Sequence, residues 1–205
     1  AFIDLLAGYA MDRWGDALGG LGDSARLAVE VSVQEGLFAT GLGAGLAELY
    51  RSRYAARDAA LARRLVDLGW EGLAGALGLD ISEDAGSPML STFPISSAGP
   101  FESAVAIMAT VPALPSPYRK LSALVTACTD LCRIPASDDG VGGEELMRRV
   151  AVVLVRTGGL GGRVAAEAAL LADLVPDGLI MGEAGYVLAT LQGCLDFLEQ
   201  HVGST

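Results

Sequence analysis

Apolar residues recur at steps of three and four positions along most of the chain, which is the period of an amphipathic helix. The segment nearest the C-terminus shows this most clearly, with apolar side chains at Val187, Leu188, Leu191, Leu195 and Leu198. Two-residue alternation, the signature of a half-buried strand, is rare. The pattern therefore predicts an all-α fold, a layered helical domain with a supporting N-terminal helical bundle.

The N-terminal part of the chain divides into several predicted helices. Residues 2–18 form a first amphipathic helix, and Ser24 is placed to cap a second that runs to about Leu49. Asp58 is placed to cap a third, and a short fourth covers residues 71–79. A break within the second helix is expected among its glycines, Gly36, Gly41, Gly43 and Gly45.

Residues 80–100 differ from the rest, because they are dense in Ser, Pro and Gly and lose the helical period. We interpret them as a linker or surface loop between an N-terminal bundle, 1–79, and a C-terminal domain, 101–201. Within that domain the segment 148–157, "RRVAVVLVRT", is apolar on all sides. It has no partner strand, so we predict a fully buried helix.

Bulk composition limits the functions that remain possible. The chain has 205 residues, 52% of them hydrophobic, and this predicts a sizeable core. No uncharged apolar run approaches the roughly 18 residues of a membrane span, and the start lacks the basic region of a signal peptide. The net charge of −11 disfavours nucleic-acid binding and fits a basic protein partner better.

The cysteines and glycine clusters give little support for chemistry. Three cysteines do not suggest a disulfide framework, and they fit a reducing compartment. Cys128 and Cys132 have the spacing of half a zinc site, but the remaining candidates are only Cys194 and His201. Buried thiols are the favoured interpretation, with no metal. The glycine clusters at 40–48 and 158–162 lack the spacing of phosphate-binding loops, so no cofactor and no covalent catalysis are predicted.

Three motifs occur in a fixed order in the C-terminal half. The first, "SPYRKL" from Ser116, has a proline entry and a basic pair before an apolar helix. The second, "GGEELMRRVAVVLV" from Gly142, has a glycine turn and two acids before the buried helix. The third is "GEAGY" at 182–186, before the last helix. Two glycines around an acid exceed what ordinary helix capping needs.

Together these motifs resemble the vacuolar-protein-sorting-nine domain family, guanine nucleotide exchange factors for small GTPases of the Rab-five branch. The family's Pro-x-x-Lys-Leu element stands here as Pro117 to Leu121, and its Gly-Glu-x-Gly-Tyr element as Gly182 to Tyr186. The resemblance covers roughly residues 100–200, and the N-terminal half is more faintly similar to alsin-type exchange factors. It implies a Rab-five-type GTPase as partner and a cytoplasmic protein that is peripheral at early endosomes.

The resemblance also implies residue roles. The family's acidic pair, which disturbs Mg²⁺ and phosphate binding, corresponds to Glu144-Glu145 here. The position that the family fills with proline, four residues after the first acid, is occupied by Arg148. The family's tyrosine, which grips the GTPase, is Tyr186, and the threonine after it is Ala189, with Thr190 adjacent. We expect Glu183 to contribute as a cap at the same surface, and Gly182 and Gly185 to form the turn that presents Tyr186. Such a factor acts on a GTPase and is not itself an enzyme of covalent chemistry.

Several alternatives stay open. Asp138-Asp139 is a literal Asp pair, although it shifts the register by six residues. The two glutamates also suit a helix first turn for dipole reasons alone, Tyr186 suits simple packing on the bundle, and Lys120 suits a solvated charge. At the level of the domain, the alternatives are a non-catalytic helical GTPase-binding module and a plain scaffold.

Overall fold

The computed structural model describes residues 22–76, 101–134 and 141–201, together with a few helical residues before residue 14. Every regular element in these ranges is helical, which confirms the all-α prediction. The predicted first helix lies almost wholly outside the described residues, and so does the predicted linker 80–100. The division into a bundle and a C-terminal domain therefore stays a prediction.

Eight right-handed helices are assigned in the described residues. In chain order the helices are α1 (Gly22–Phe38), α2 (Gly41–Ala76), α3 (Glu102–Thr110), α4 (Pro117–Arg133), α5 (Gly143–Arg156), α6 (Val164–Leu174), the short α7 (Asp177–Ile180) and α8 (Glu183–His201). A single 3₁₀ turn, Val111–Ala113, joins α3 to α4. Helix α8 packs against α4, α5 and α6, and α2 packs against α6. Leu61 and Leu65 of α2 belong to the same hydrophobic core as the C-terminal helices.

Helix α5 is the buried centre of the fold. Every residue from Val150 to Leu154 is almost completely enclosed, and α3, α4 and α8 all contact this helix. The prediction of a fully buried helix at 148–157 is confirmed for residues 149–154, whereas Arg156 is exposed and the helix ends there. Its first turn, by contrast, reaches the surface.

Several N-terminal helix boundaries were predicted wrongly, including the end expected at about Leu49, which lies inside α2. Helix α1 begins at Gly22, two residues before Ser24. Helix α2 runs without interruption for 36 residues, so no helix begins at Asp58 or at residue 71. The expected break is present, at Ala39 and Thr40, just before Gly41.

Asp58 does cap a helix, but a distant one. Its two carboxylate oxygens accept hydrogen bonds from the backbone N–H groups of Ala165, at 2.7 Å, and Ala166, at 3.3 Å. These donors belong to the first turn of α6, where an N–H has no partner within its own helix. Asp58 is itself buried, so it fixes the start of α6 against the middle of α2.

Asp58→Ala should therefore destabilise the fold although no helix starts there. We expect the free energy of unfolding in urea to fall by about 1–2 kcal/mol, because two buried N–H groups lose their acceptor. Asp67→Ala is the matched control, since Asp67 is an exposed acid on the same helix. Equal effects of the two substitutions would contradict the capping role.

A left-handed turn joins α5 to α6. All residues of Gly158–Gly162 have positive φ, including Leu160 at 49°. An L-residue in this conformation costs about 1–2 kcal/mol, whereas glycine adopts it readily. Leu160 is fully buried, and burying a leucine side chain contributes about 1.5–3 kcal/mol, enough to offset its strain. The cluster 158–162 thus reverses the chain after α5.

Lys120 lies inside the core, which contradicts its interpretation as a solvated charge. Its Nζ lies 2.9 Å from Oε2 of Glu167, another buried side chain. It also donates to the carbonyl oxygens of Val111, at 2.8 Å, and Pro112, at 3.3 Å. Burial lowers the pKa of Lys120, and the charge of Glu167 opposes that shift. Lys120, the second basic residue of "SPYRKL", therefore connects α4 with α6 and the 3₁₀ turn.

Candidate functional site

The first turns of α5 and α8 lie next to each other. A Cβ added to Gly143 would lie 2.9 Å from the hydroxyl oxygen of Tyr186, so the phenol ring reaches over the start of α5. Further along, the thiol of Cys194 contacts the carbonyl oxygen of Met147 at 3.3 Å. Tyr186 remains 49% exposed. The structure thus places the glycine turn of the second motif beside the tyrosine of the third, and both Glu144 and Tyr186 are accessible at the surface.

Glu144 is the more accessible acid of this surface. Its side chain is 74% exposed, and Oε1 lies 2.5 Å from Nη2 of Arg148, one helical turn further on. An i,i+4 ion pair of this kind contributes only about 0.2–0.5 kcal/mol. The carboxylate is therefore paired but easily released, and the residue at the family's proline position supplies the pairing charge.

Glu145 has a different environment. It lies 2.8 Å from Nε of Arg149, whose side chain is fully buried. Arg149 Nη1 also donates to the carbonyl oxygens of Leu131, at 2.6 Å, and Ile134, at 2.9 Å. Those carbonyls belong to the end of α4, and that of Leu131 also accepts the backbone N–H of Ile134 at 3.3 Å. Glu145 is thus part of the junction between α4 and α5.

Both glycines of "GEAGY" occupy positions that restrict the residue type. Gly182 has a φ of 138°, a conformation that other residues rarely adopt. A Cβ on Gly185 would lie 1.8 Å from the carbonyl oxygen of Ile180, which is closer than any non-bonded contact. The chain folds back from α7 into α8 at this point, and the turn places Tyr186 at the surface.

The first turn of α8 is also tied to α4. Glu183 Oε1 lies 3.1 Å from the hydroxyl of Thr129, which shares its proton between this carboxylate and the carbonyl oxygen of Val125 at 2.8 Å. Thr190 donates to the carbonyl oxygen of Tyr186 at 2.8 Å, and Ala189 is exposed. Thr129 was not among the predicted residues, because nothing in its local sequence marks it.

Exposed apolar side chains surround the turn. Met181 is 87% exposed, and Ile180 is also accessible. They stand immediately before α8, with the ring of Tyr186 one turn later. Apolar area exposed next to polar groups is typical of interaction surfaces. The site therefore combines an accessible carboxylate, a phenol and an apolar edge.

The other candidate residues lie elsewhere. Asp138 and Asp139 fall outside the described residues, so the alternative register stays a prediction. Cys128 and Cys194 are buried, as predicted, and burial raises the pKa of each thiol to about 12. Cys132 is exposed, which corrects the expectation of a buried thiol. It falls on the outer side of the last turn of α4.

Neither a metal site nor a membrane span is evident in the described part of the chain. Across residues 22–76, 101–134 and 141–201, no three His, Cys, Asp or Glu side chains gather as metal ligands. In those same ranges no helix is both long enough and apolar enough to cross a bilayer.

Comparison with known proteins does not assign the chain to a family. No family model matches the sequence, and no curated protein matches it. The resemblance to exchange factors therefore depends on the three sequence motifs.

Proposed function

We propose that this chain is a guanine nucleotide exchange factor domain for a small GTPase of the Rab-five branch. The observation that carries the proposal is the shared surface of α5 and α8. There an exposed carboxylate, Glu144, follows directly on Gly143, and the hydroxyl of Tyr186 occupies the space that a side chain at residue 143 would need. The ordered motifs in the sequence support the same function. Such an activity implies a cytoplasmic protein that works at early endosomes.

An acid at this position would act on the nucleotide through charge. A small GTPase holds its nucleotide with a phosphate-binding loop, a lysine and Mg²⁺, and Mg²⁺ requires near-ideal octahedral oxygen ligation. A carboxylate about 4 Å from a phosphate oxygen repels it by roughly 4 kcal/mol at an effective dielectric near 20. The same carboxylate competes with phosphate for the lysine, so bound GDP is released.

The phenol and the apolar edge would supply affinity for the protein partner. Tyr186 offers a large ring with a polar tip, a type of side chain that is frequent among residues that dominate binding energy. Met181 and Ile180 extend the apolar contact. Because linkage is reciprocal, a factor that binds the nucleotide-free GTPase tightly is displaced when GTP enters.

The direct test is release of fluorescent GDP from purified Rab-five-branch GTPases with this chain added. We expect the rate to rise with its concentration and to saturate. Tyr186→Ala should raise the concentration that gives half of the maximal rate, because it removes partner contacts. Tyr118→Ala is the control, since Tyr118 is a partly exposed tyrosine on α4. No acceleration with any member of the branch would refute the proposal.

Arg148→Ala should increase exchange slightly. The substitution frees the Glu144 carboxylate from a pair that contributes about 0.2–0.5 kcal/mol, which corresponds to about a twofold higher maximal rate of release. Arg133→Ala is a matched control, because Arg133 is an exposed arginine paired with Asp130 within its own helix. A lower rate for Arg148→Ala would mean that the guanidinium itself contacts the partner.

A second candidate is a GTPase-binding module that does not release nucleotide. The observation that favours it is the pairing of both glutamates with arginines, which reduces the negative charge of the first turn of α5. Equal affinity for the GDP-bound, GTP-bound and nucleotide-free partner, without acceleration of release, would establish this function. The scaffold alternative predicts that Tyr186→Ala leaves all partner binding intact.

A further inference from the structure

Glu144 and Glu145, the two acids at the start of α5, form ion pairs with different arginines and differ in burial. Glu144 is on the accessible side of the helix and pairs with the partly exposed Arg148. Glu145 is three-quarters covered and pairs with Arg149, which has no exposed surface. Neighbours in sequence thus have separate environments, because successive helical positions point about 100° apart.

Burial of the Arg149 side chain inside the fold is energetically unfavourable. Removing a guanidinium from water carries a penalty that a single carboxylate often fails to repay. Its Nη2 is buried and has no hydrogen-bond partner in the structure. An apolar side chain of similar volume would serve a central helix such as α5 at least as well. The residue is therefore better explained by the geometry it imposes than by stability.

That geometry links three elements. Arg149 binds the carbonyl oxygens of Leu131 and Ile134 at the end of α4, and it holds Glu145 in the first turn of α5. The planar guanidinium fixes the direction of each bond, which an ammonium group does not. The first turn of α5 is thereby held at one angle to α4, and Glu144 is carried by that turn.

We propose that Arg149 is a positioning residue, which holds Glu145 in a fixed place and leaves Glu144 as the single acid presented to the GTPase. This inference rests on the proposed exchange function. It assigns Glu145 to the support of the site, although the family resemblance would place both acids in the active pair.

Replacement of each acid by Ala and by Gln separates the two roles. In E145Q the side-chain amide oxygen can still accept a hydrogen bond from Arg149 Nε. This variant should therefore retain most of the activity that E145A loses. We expect E145A to lower the maximal release rate about tenfold, as a small misplacement of a reacting group does. At position 144 the charge is what acts, so E144Q should be as impaired as E144A. If E145Q and E145A are equally impaired, Glu145 acts directly and the inference is wrong.

The conservative variant R149K and the neutral variant R149Q test the guanidinium. We expect both to lower the maximal rate of release while the concentration of this chain at half-maximal rate stays the same, because the docking residues of α8 are untouched. A rise in that concentration with an unchanged maximal rate would contradict a positioning role.

Hydrogen exchange provides a measurement that needs no GTPase. In R149Q, amides of residues 146–149 should exchange about tenfold faster than in the wild type, since the first turn of α5 loses its attachment to α4. The control is α6, whose first turn is held by Asp58 instead of Arg149. If the wild type releases no nucleotide but hydrogen exchange of residues 146–149 is faster in R149Q, the proposed exchange function is refuted, while the role of Arg149 in fixing α5 to α4 is supported. If the wild type is active and R149Q shows neither effect, only the inference fails.

Discussion

Glu144→Ala is expected to lower the maximal rate of nucleotide release by a factor on the order of 100 to 1000. The reason is the loss of roughly 4 kcal/mol of repulsion between its carboxylate and the partner's phosphate at about 4 Å. Stability should change little, because the side chain is exposed and a first-turn acid contributes only a few tenths of a kcal/mol. Stopped-flow release of fluorescent GDP and urea unfolding measure the two quantities.

Glu102→Ala is the matched control for Glu144. Glu102 is also in the first turn of a helix, α3, and it is also paired with an arginine, Arg156 at 2.8 Å. The control should leave the release rate unchanged. Normal exchange by Glu144→Ala would exclude this carboxylate as the acting group, and attention would move to Asp138 and Asp139.

Gly185→Ala is expected to have the largest effect on stability. The added Cβ would lie 1.8 Å from the carbonyl oxygen of Ile180 and 2.8 Å from its carbonyl carbon, so the backbone of the turn must move. Overpacking of this severity costs about 3 kcal/mol. We expect the midpoint of urea unfolding to fall accordingly, and binding of the GTPase to weaken because Tyr186 is displaced.

Helix α8 contains its own control for this substitution. A Cβ on Gly193 would meet only Sδ of Met147, at an ordinary 3.8 Å. Gly193→Ala should therefore stabilise the protein by about 0.5–1 kcal/mol, the usual gain in a helix interior. If Gly185→Ala were tolerated equally well, the close approach of α7 to α8 would not exist in solution.

Local patterns in the sequence correctly predicted those features of the fold that depend on residues close together in the sequence. The apolar run after Arg149 indicated the central helix, because a segment without a polar face has to be enclosed. The two glycines of "GEAGY" indicated a sharp turn, and Gly182 indeed has a φ that other residues rarely adopt, while Gly185 has no room for a Cβ. Both features are determined by a few consecutive residues, so their sequence signal is strong.

Partners that are distant in sequence escaped prediction for the opposite reason. Asp58 was identified as a cap, but the helix it caps begins more than a hundred positions later. Lys120 and Arg149 carry the charges of typical surface residues, and a periodic pattern does not show which carboxylate or carbonyl will meet them. Glu145 and Arg149 do have the i,i+4 spacing of an ion pair, a signal that was present in the sequence and overlooked.

The cysteines give this molecule a selective chemical handle. Cys128 and Cys194 are enclosed and have raised pKa values, so both resist alkylation, whereas Cys132 is open to solvent. A maleimide dye should consequently attach at one place, next to the helix end whose carbonyls Arg149 binds. Its fluorescence would report, in real time, changes in the junction between α4 and α5 while a GTPase binds and dissociates.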